Sequence, residues 1–138
     1  MAKDSIHDVV KKALITDGWT ITDDPYYLKA NPHTLKIDLG AERLIAAEKG
    51  KEKIAVEIKS FQKDSFIYEF YEASGQYDFY AEFLPDEDRE RTLYLAVNQV
   101  VYNFRFLRDE SVMRMCRKKN IKFIIVNIST AKIKEWIK

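Results

Sequence analysis

The stretch Ile54-Ala55-Val56-Glu57-Ile58-Lys59 decides how this chain folds, because apolar residues alternate along it with small or charged ones. A two-residue period is typical of a β-strand that buries one apolar face. Glu57 and Lys59 therefore point to the same side of the strand, about 7 Å apart along it. The polar run Glu48-Lys49-Gly50-Lys51-Glu52 predicts a turn, and the strand-like run Leu35–Glu48 predicts the other arm of a hairpin that spans Leu35 to Ser60.

An aspartate on the first arm of this hairpin suggests a catalytic role for Glu57 and Lys59. Asp38 lies in Ile37-Asp38-Leu39-Gly40, nineteen positions before Glu57. An acid on one arm and Glu-x-Lys on the other can hold a divalent metal beside a lysine, and that combination suits metal-assisted attack on a phosphodiester. The alternative is that Glu57 and Lys59 form an inert ion pair on the surface.

The register of the hairpin leaves the identity of the first acid open. A tight turn at Gly50-Lys51 pairs residues whose numbers sum to about 101, so Glu57 faces Leu44 and Lys59 faces Glu42. Asp38 then lies several residues beyond the direct partner, unless the first strand bends or bulges, for which Gly40 is a candidate, or the turn starts earlier. Register alone favours Glu42 as the acid beside Lys59.

The rest of the chain supplies helices and further strands in an order that predicts the fold class. We expect helices over Ser5–Ile15, from Asp64-Ser65 to about Phe83, where Pro85-Asp86 closes the helix, and over most of Val101–Lys119. The expected strands are a short one over Trp19–Thr22 and two buried ones over Leu93–Val97 and Lys122–Ile128. Ala131–Lys138 is expected to form a short helix or an extended tail. The order helix, strands, helix, strand, helix, strand predicts an α/β domain with a mixed sheet, formed by residues 1–138 as a single domain.

Composition narrows the functional classes. No apolar run approaches the ~20 residues that a membrane span needs, the N-terminus lacks a signal-like pattern, and the single cysteine, Cys116, excludes an internal disulfide. These features predict a cytoplasmic protein that does not contact membranes. Because the net charge is only +1, DNA binding has to depend on local basic clusters. The candidates are Arg114, Arg117, Lys118, Lys119 and Lys122, and around the hairpin turn Lys49, Lys51 and Lys53.

At Asp38, Glu57 and Lys59 the chain resembles the PD-(D/E)xK nuclease superfamily, which has the restriction-endonuclease-like fold. The resemblance implies that Asp38 and Glu57 bind Mg²⁺ or Mn²⁺ and that Lys59 activates water or stabilises the pentavalent phosphate. Ile37 stands where the superfamily's name has a proline. Gln76-Tyr77-Asp78-Phe79-Tyr80 resembles the Gln-x-x-x-Tyr motif of RecB-like members. Gln76 and Tyr80 share one helix face at this spacing, and the resemblance implies that they orient Lys59 or the DNA strand.

The chain as a whole resembles a narrower family, the XisH-like fdxN element excision controlling factors of cyanobacteria. The segments that carry this resemblance are Ala13–Thr22, Ile37–Glu42, Val56–Phe61 and Leu93–Val97. It implies a role in programmed DNA rearrangement as an accessory to a site-specific recombinase, and an association with an XisI-like protein.

Two functions follow from these observations. The first is a magnesium-dependent endodeoxyribonuclease that supports excision of a DNA element, acting as a homodimer because two strands are commonly cut by two copies. The second is a noncatalytic module with the nuclease fold that binds a recombinase or an XisI-like partner, and a toxin or antitoxin role is a third. His7 and Asp8 on the first helix are additional candidates for a residue near the metal.

Overall fold

The computed structural model describes residues 6–35, 38–39 and 42–138, and for residues 38, 39, 42 and 43 it describes the backbone alone. No helix in this part of the chain is both long and apolar enough to cross a membrane. The helices are α1 (Ile6–Thr16), α2 (Phe66–Glu87), α3 (Gln99–Val101), which continues as a π-helical turn over Tyr102–Phe106, and α4 (Glu110–Lys118). The strands are β1 (Thr20–Asp23), β2 (Leu28–Ala30), β3 (His33–Leu35), β4 (Asp38–Leu39), β5 (Glu42–Lys49), β6 (Glu52–Ile58), β7 (Arg91–Asn98), β8 (Phe123–Asn127) and β9 (Lys132–Ile137).

A mixed sheet forms the centre of the molecule, as the element order predicts. Its strands follow the order β1-β5-β6-β7-β8-β9, with β4 also paired to β5, and β2 and β3 form a separate small sheet. The strands β6, β7 and β8 are parallel, and the remaining pairs are antiparallel. Parallel neighbours require crossovers on a face of the sheet, and α2 and the α3–α4 segment provide them.

The two faces of the sheet bury two different cores. Ala55, Leu95 and Phe123 face the core that contains residues of α2, the π-helical turn and α4. Val56 and Ile124 face the core that contains α1. The central strands are thus buried on both sides, which explains the continuous apolar runs in β7 and β8 and confirms the prediction for them.

The hairpin of β5 and β6 has the register expected from a turn at Gly50-Lys51. Leu44 pairs with Glu57 and Lys49 with Glu52, and Gly50 adopts a φ of 61°, which glycine tolerates without steric cost. The predicted first arm, Leu35–Glu48, is wrong in its upstream half. Leu35 pairs with Leu28 in the small sheet, so the main hairpin spans Glu42 to Ile58 instead.

Two further boundaries differ from the sequence predictions. α2 continues past Phe83 to Glu87 with Pro85 inside it, because the amide of Asp88 still donates to the carbonyl of Leu84 at 2.9 Å. The last segment is the edge strand β9, where Trp136 lies against Trp19 and Tyr94 at ring distances of 5.6 and 5.0 Å.

Tyr77 connects α2 to the start of two parallel strands. Its hydroxyl donates to the carbonyl of Leu93 at 3.0 Å and accepts from the amide of Lys122 at 3.1 Å. Burial raises the pKa of Tyr77 to about 12, so this hydroxyl stays protonated and keeps both bonds.

Replacing Tyr77 by Phe should lower the free energy of unfolding by about 1–3 kcal/mol, because the amide of Lys122 loses its acceptor in a buried setting. Urea unfolding followed by circular dichroism measures the change. Tyr71→Phe on the exposed side of the same helix is the matched control and should change stability by less than about 0.5 kcal/mol. Equal effects of the two substitutions would contradict the assigned role of the Tyr77 hydroxyl.

Candidate active site at the end of the central strand

Glu57 and Lys59 lie at the carboxyl end of β6, in the middle of the sheet. Glu57 pairs with Leu44 on one side and Leu95 on the other, and the amide of Lys59 extends the parallel pairing by donating to the carbonyl of Ala96 at 3.3 Å. Only 3% of Glu57 and 1% of Lys59 is exposed. An inert ion pair on the surface is therefore excluded.

The ammonium of Lys59 reaches a carboxylate that the sequence did not single out. Its Nζ donates to Oε1 of Glu72 on α2 at 3.0 Å, and the Glu72 side chain is half exposed. Glu72, Gln76 and Tyr80 follow one another at four-residue spacing, so they form one stripe along α2. The repeat Glu72-x-x-x-Gln76-x-x-x-Tyr80 was the available signal for this missed residue.

The charge of Lys59 acts directly on Glu72. The hydrogen bond from Lys59 lowers the pKa of the Glu72 carboxyl, with further lowering by the charges of Lys59 and Lys63. A buried ammonium is costly without an anion that accepts from it. Glu72 therefore supplies a hydrogen-bonding counter-charge and fixes the direction in which the lysine side chain points.

Gln76 and Tyr80 lie farther along the same stripe and border a groove. Tyr80 is almost fully buried and Gln76 is half buried. Both side chains line a groove of about 480 Å³ between α2 and the β2–β3 sheet. The two residues thus share one surface, one and two helical turns from Glu72.

The backbone of Asp38 comes closer to β6 than a straight first strand allows. Asp38 pairs with Arg43, which in turn pairs with Ile58, so the chain has reversed direction between β4 and β5. Asp38 is thus two strand spacings, about 10 Å, from Ile58 across the sheet. This reversal takes the place of the bend or bulge that we expected near Gly40.

The side chains of Asp38 and Glu42 lie outside the described residues, and so does Gly40. The choice between the two acids as a partner for Glu57 accordingly stays a prediction. Among the residues that the structure describes, no three His, Cys, Asp or Glu side chains are close enough to hold a metal ion. Asp38 remains the predicted partner of Glu57 at a metal site.

His7 and Asp8 belong to a different part of the molecule. Nε2 of His7 is 3.0 Å from Oδ1 of Asp24, and Lys11 donates to the other oxygen of Asp24 at 2.6 Å. α1 packs on the face of the sheet opposite to Glu57. His7 thus fastens α1 to the segment after β1, and the structure does not bring it to Lys59.

The predicted basic clusters are partly neutralised within the chain. Lys119 pairs with Asp78, Lys49 donates to the carbonyl of Asp17 at 2.6 Å, and Lys53 lies 3.4 Å from Asp88. The remaining exposed cations of the larger cluster lie on α4: Arg114, Arg117 and Lys118.

The Lys59–Glu72 bond should make stability depend on pH in the acid range. Because the folded state lowers the pKa of Glu72, its contribution is complete above the ordinary glutamate pKa of about 4.3 and disappears as the pH falls through the folded value. Glu72→Gln keeps an oxygen acceptor but removes the charge. The variant should be less stable than the wild type at pH 7 by under about 1 kcal/mol, since water screens the half-exposed carboxylate.

Melting temperatures measured between pH 7 and pH 3 test this expectation. The gap between the wild type and Glu72→Gln should close toward pH 3. Glu82→Gln, at an exposed position of the same helix, is the control and should change the melting temperature little. A gap for Glu72→Gln that stays constant over the whole range would contradict the ion pair.

Comparisons with known proteins identify the family. The model of the family described as XisH protein matches residues 1–134. The crystal structure of an XisH family protein from Nostoc punctiforme PCC 73102 superposes with a TM-score of 0.89 at 39% identity, over 98% of this chain and all of that chain. An fdxN element excision controlling factor protein from Anabaena variabilis superposes with a TM-score of 0.88 at 37% identity, over 99% of this chain and all of that chain. No curated protein matches the chain significantly. The chain therefore belongs to the XisH family, as its sequence indicated.

Proposed function

We propose that this protein acts on DNA during excision of a genetic element and that it carries a magnesium-dependent endonuclease site of the PD-(D/E)xK kind. One observation carries the proposal. Glu57 and Lys59 are both buried on one face at the end of the central strand, and a carboxylate on α2 holds the lysine. Buried charges lower stability relative to apolar residues of similar size, so a folded chain that retains both at a strand end indicates a functional use for them.

The proposed ligands suit a hard divalent cation. Glu57 and the predicted partner Asp38 offer carboxylate oxygens, which Mg²⁺ and Mn²⁺ prefer over nitrogen or sulfur. When bound, such an ion polarises the phosphate and lowers the pKa of a coordinated water.

The protein's own residues would bind and orient the DNA. An ammonium has three N–H donors, and Glu72 accepts from one of them. The positive charge of Lys59 would offset the negative charge that develops on the phosphate. Glu72 would act as a positioning residue that keeps Lys59 aimed at the end of β6, and Gln76 and Tyr80 would orient Lys59 or the DNA strand.

The proposed biological setting follows from the relatives. A solved structure with 37% identity belongs to a protein described as an fdxN element excision controlling factor. Excision joins and cuts DNA through a site-specific recombinase, so we expect this chain to support such an enzyme, together with an XisI-like protein. A homodimer would present two copies of the site to the two strands of a duplex.

A noncatalytic binding module is the second candidate, and the exposed apolar residues of α3 and of the π-helical turn that follows it favour this function. Val100, Phe104 and Leu107 are 60, 57 and 52% exposed and recur at helical spacing. Exposed apolar side chains that line up in this way are typical of contacts with another protein. In this reading the chain binds a recombinase or an XisI-like partner and cuts no DNA.

Metal-dependent melting and plasmid nicking distinguish the two candidates. Mn²⁺ at a hundredfold excess over its dissociation constant should raise the stability of the wild type by about 2.7 kcal/mol. Glu57→Ala should abolish both this gain and nicking, because a ligand is lost. Lys59→Ala should retain the gain, since no ligand is removed, and should also abolish nicking.

Glu135→Ala, on the exposed edge strand β9, is the control and should behave as the wild type in both assays. A wild type without either a metal-dependent shift or nicking would refute the nuclease and favour the binding module. Nicking by Lys59→Ala at the wild-type rate would refute the role of the lysine alone.

A further inference from the structure

The groove beside α2 has a shape and lining that the cutting of a phosphodiester does not require. It has a volume of about 480 Å³, with His33, Thr34 and Leu35 along one wall. The opposite wall is the α2 surface formed by Gly75, Gln76, Phe79 and Tyr80. The walls combine an aromatic and aliphatic surface with the polar side chains of His33, Thr34 and Gln76.

Gly75 leaves space in this wall of the groove but lowers the stability of the helix. A glycine in the interior of a helix is less favourable than alanine because it loses more backbone entropy on folding. The usual compensation is a close approach by another element, yet no described atom lies within 4 Å of where a Cβ would stand at Gly75. What the glycine provides is therefore space in the groove.

Gln76 contributes an amide oxygen to the lining of the groove. Its Oε1 is buried and has no hydrogen-bond partner among the described residues. A buried amide oxygen without a donor destabilises the free protein. A ligand that presents an N–H group at this point would relieve that cost.

Phe79 supplies a surface for a flat ring. It is 44% exposed although it lies on the groove, and it packs against Phe83 with a ring distance of 5.0 Å. An exposed ring that a neighbour holds in place is suited to stacking, and nucleobases stack on such rings irrespective of their sequence.

The groove begins about one helical turn along α2 from the candidate active site. Glu72, which holds Lys59, precedes Gln76 by four residues, or about 6 Å along the helix axis. A strand whose phosphate lies at Lys59 could therefore place a neighbouring base in the groove.

We propose that this groove binds one unpaired nucleobase of the DNA strand whose phosphate lies at Lys59. The proposal rests on the DNA-acting function above and names its substrate: DNA with an unpaired or extruded nucleotide beside the scissile phosphate. Phe79 stacks on the base, and Gln76 accepts from an exocyclic amino group, which adenine carries and thymine lacks. Gly75 leaves room for the ring.

Binding of labelled duplexes in the absence of a divalent metal tests the proposal without any cutting. The probes carry one unpaired adenine, one unpaired thymine or one abasic nucleotide in the same sequence. Anisotropy should show the adenine probe bound at least about fivefold tighter than the abasic probe, which is the low end of what base stacking supplies. Thymine should fall between the two.

Variants on α2 assign that preference to the groove. Gly75→Leu should abolish it by filling the space, and Gly75→Ala should reduce it while raising the melting temperature. Gln76→Leu should remove the advantage of adenine over thymine but keep that of thymine over the abasic probe. Ala81→Leu, at an exposed position of α2 outside the groove, is the matched control and should keep the full preference.

Several results would overturn the proposal. They are equal binding of the adenine and abasic probes by the wild type, an unchanged preference in Gly75→Leu, and groove-dependent binding of free dAMP as tight as that of the adenine probe. The last result would assign the groove to a free nucleotide.

These assays distinguish a failure of the groove proposal from a failure of the nuclease proposal. Nicking without a base preference refutes the groove alone. A base preference without nicking refutes the nuclease alone, and a wild type that neither binds any of the probes nor nicks plasmid DNA with metal refutes both.

Discussion

The hydrogen bond between Lys59 and Glu72 is the constraint on which the arrangement around the site depends. An ammonium that is 99% buried has lost its hydration, and it must find an acceptor within reach of a side chain anchored at the end of β6. Glu72 can accept this hydrogen bond only if α2 lies at the right position along β6 and turns the helix face that carries Glu72 toward the sheet. That single requirement fixes where Gln76 and Tyr80 lie, because both follow Glu72 at four-residue intervals on the same helix.

Tyr77 also fixes the position of α2, through contacts with the opposite end of the sheet. Its hydroxyl is bonded to the backbone of β7 and to the residue before β8, at the amino ends of the parallel strands. Lys59 lies at their carboxyl ends. α2 is therefore held at both ends of the sheet, and neither bond can form if the helix slides by one turn. We infer that a site assembled from a strand and a helix keeps its geometry here through two polar contacts rather than through apolar packing alone, since apolar cores tolerate shifts that hydrogen bonds do not.

The sequence predicted what depends on neighbouring residues and missed what depends on distant ones. The two-residue period over Ile54–Lys59 and the turn at Gly50-Lys51 gave the strand and its register correctly. The reversal between β4 and β5 was missed, because the apolar pattern runs on through Leu35–Glu48 without a turn signal stronger than Gly40. The sequence does not distinguish a helix from an extended tail at β9, for a different reason. Its apolar residues Ile133 and Trp136 are three apart, and the register shift opposite Ile125 and Val126 puts both on the same face.

Glu72 escaped prediction because a contact between residues 59 and 72 depends on how a helix crosses a strand. A periodic pattern reports which face of an element is apolar, and Glu72 is half exposed at the margin of that face. Asp38 presents the opposite case. The family resemblance indicates Asp38, whereas the register of a straight hairpin puts it several residues too far from Glu57. The pairing with Arg43 brings the backbone of Asp38 within two strands of β6, but in register with Ile58, the neighbour of Glu57, and its side chain lies outside the described residues.

The geometry of the parallel strands also links the two proposed functions. β6 and β7 end at the same edge of the sheet, so Lys59 lies beside the start of α3, where Asn98 caps the helix by accepting from the amide of Val100 at 3.0 Å. The exposed apolar stripe of Val100, Phe104 and Leu107 begins at this point. A protein bound to the stripe would contact the same end of the sheet as Lys59, so the two proposed functions involve neighbouring surfaces of the molecule.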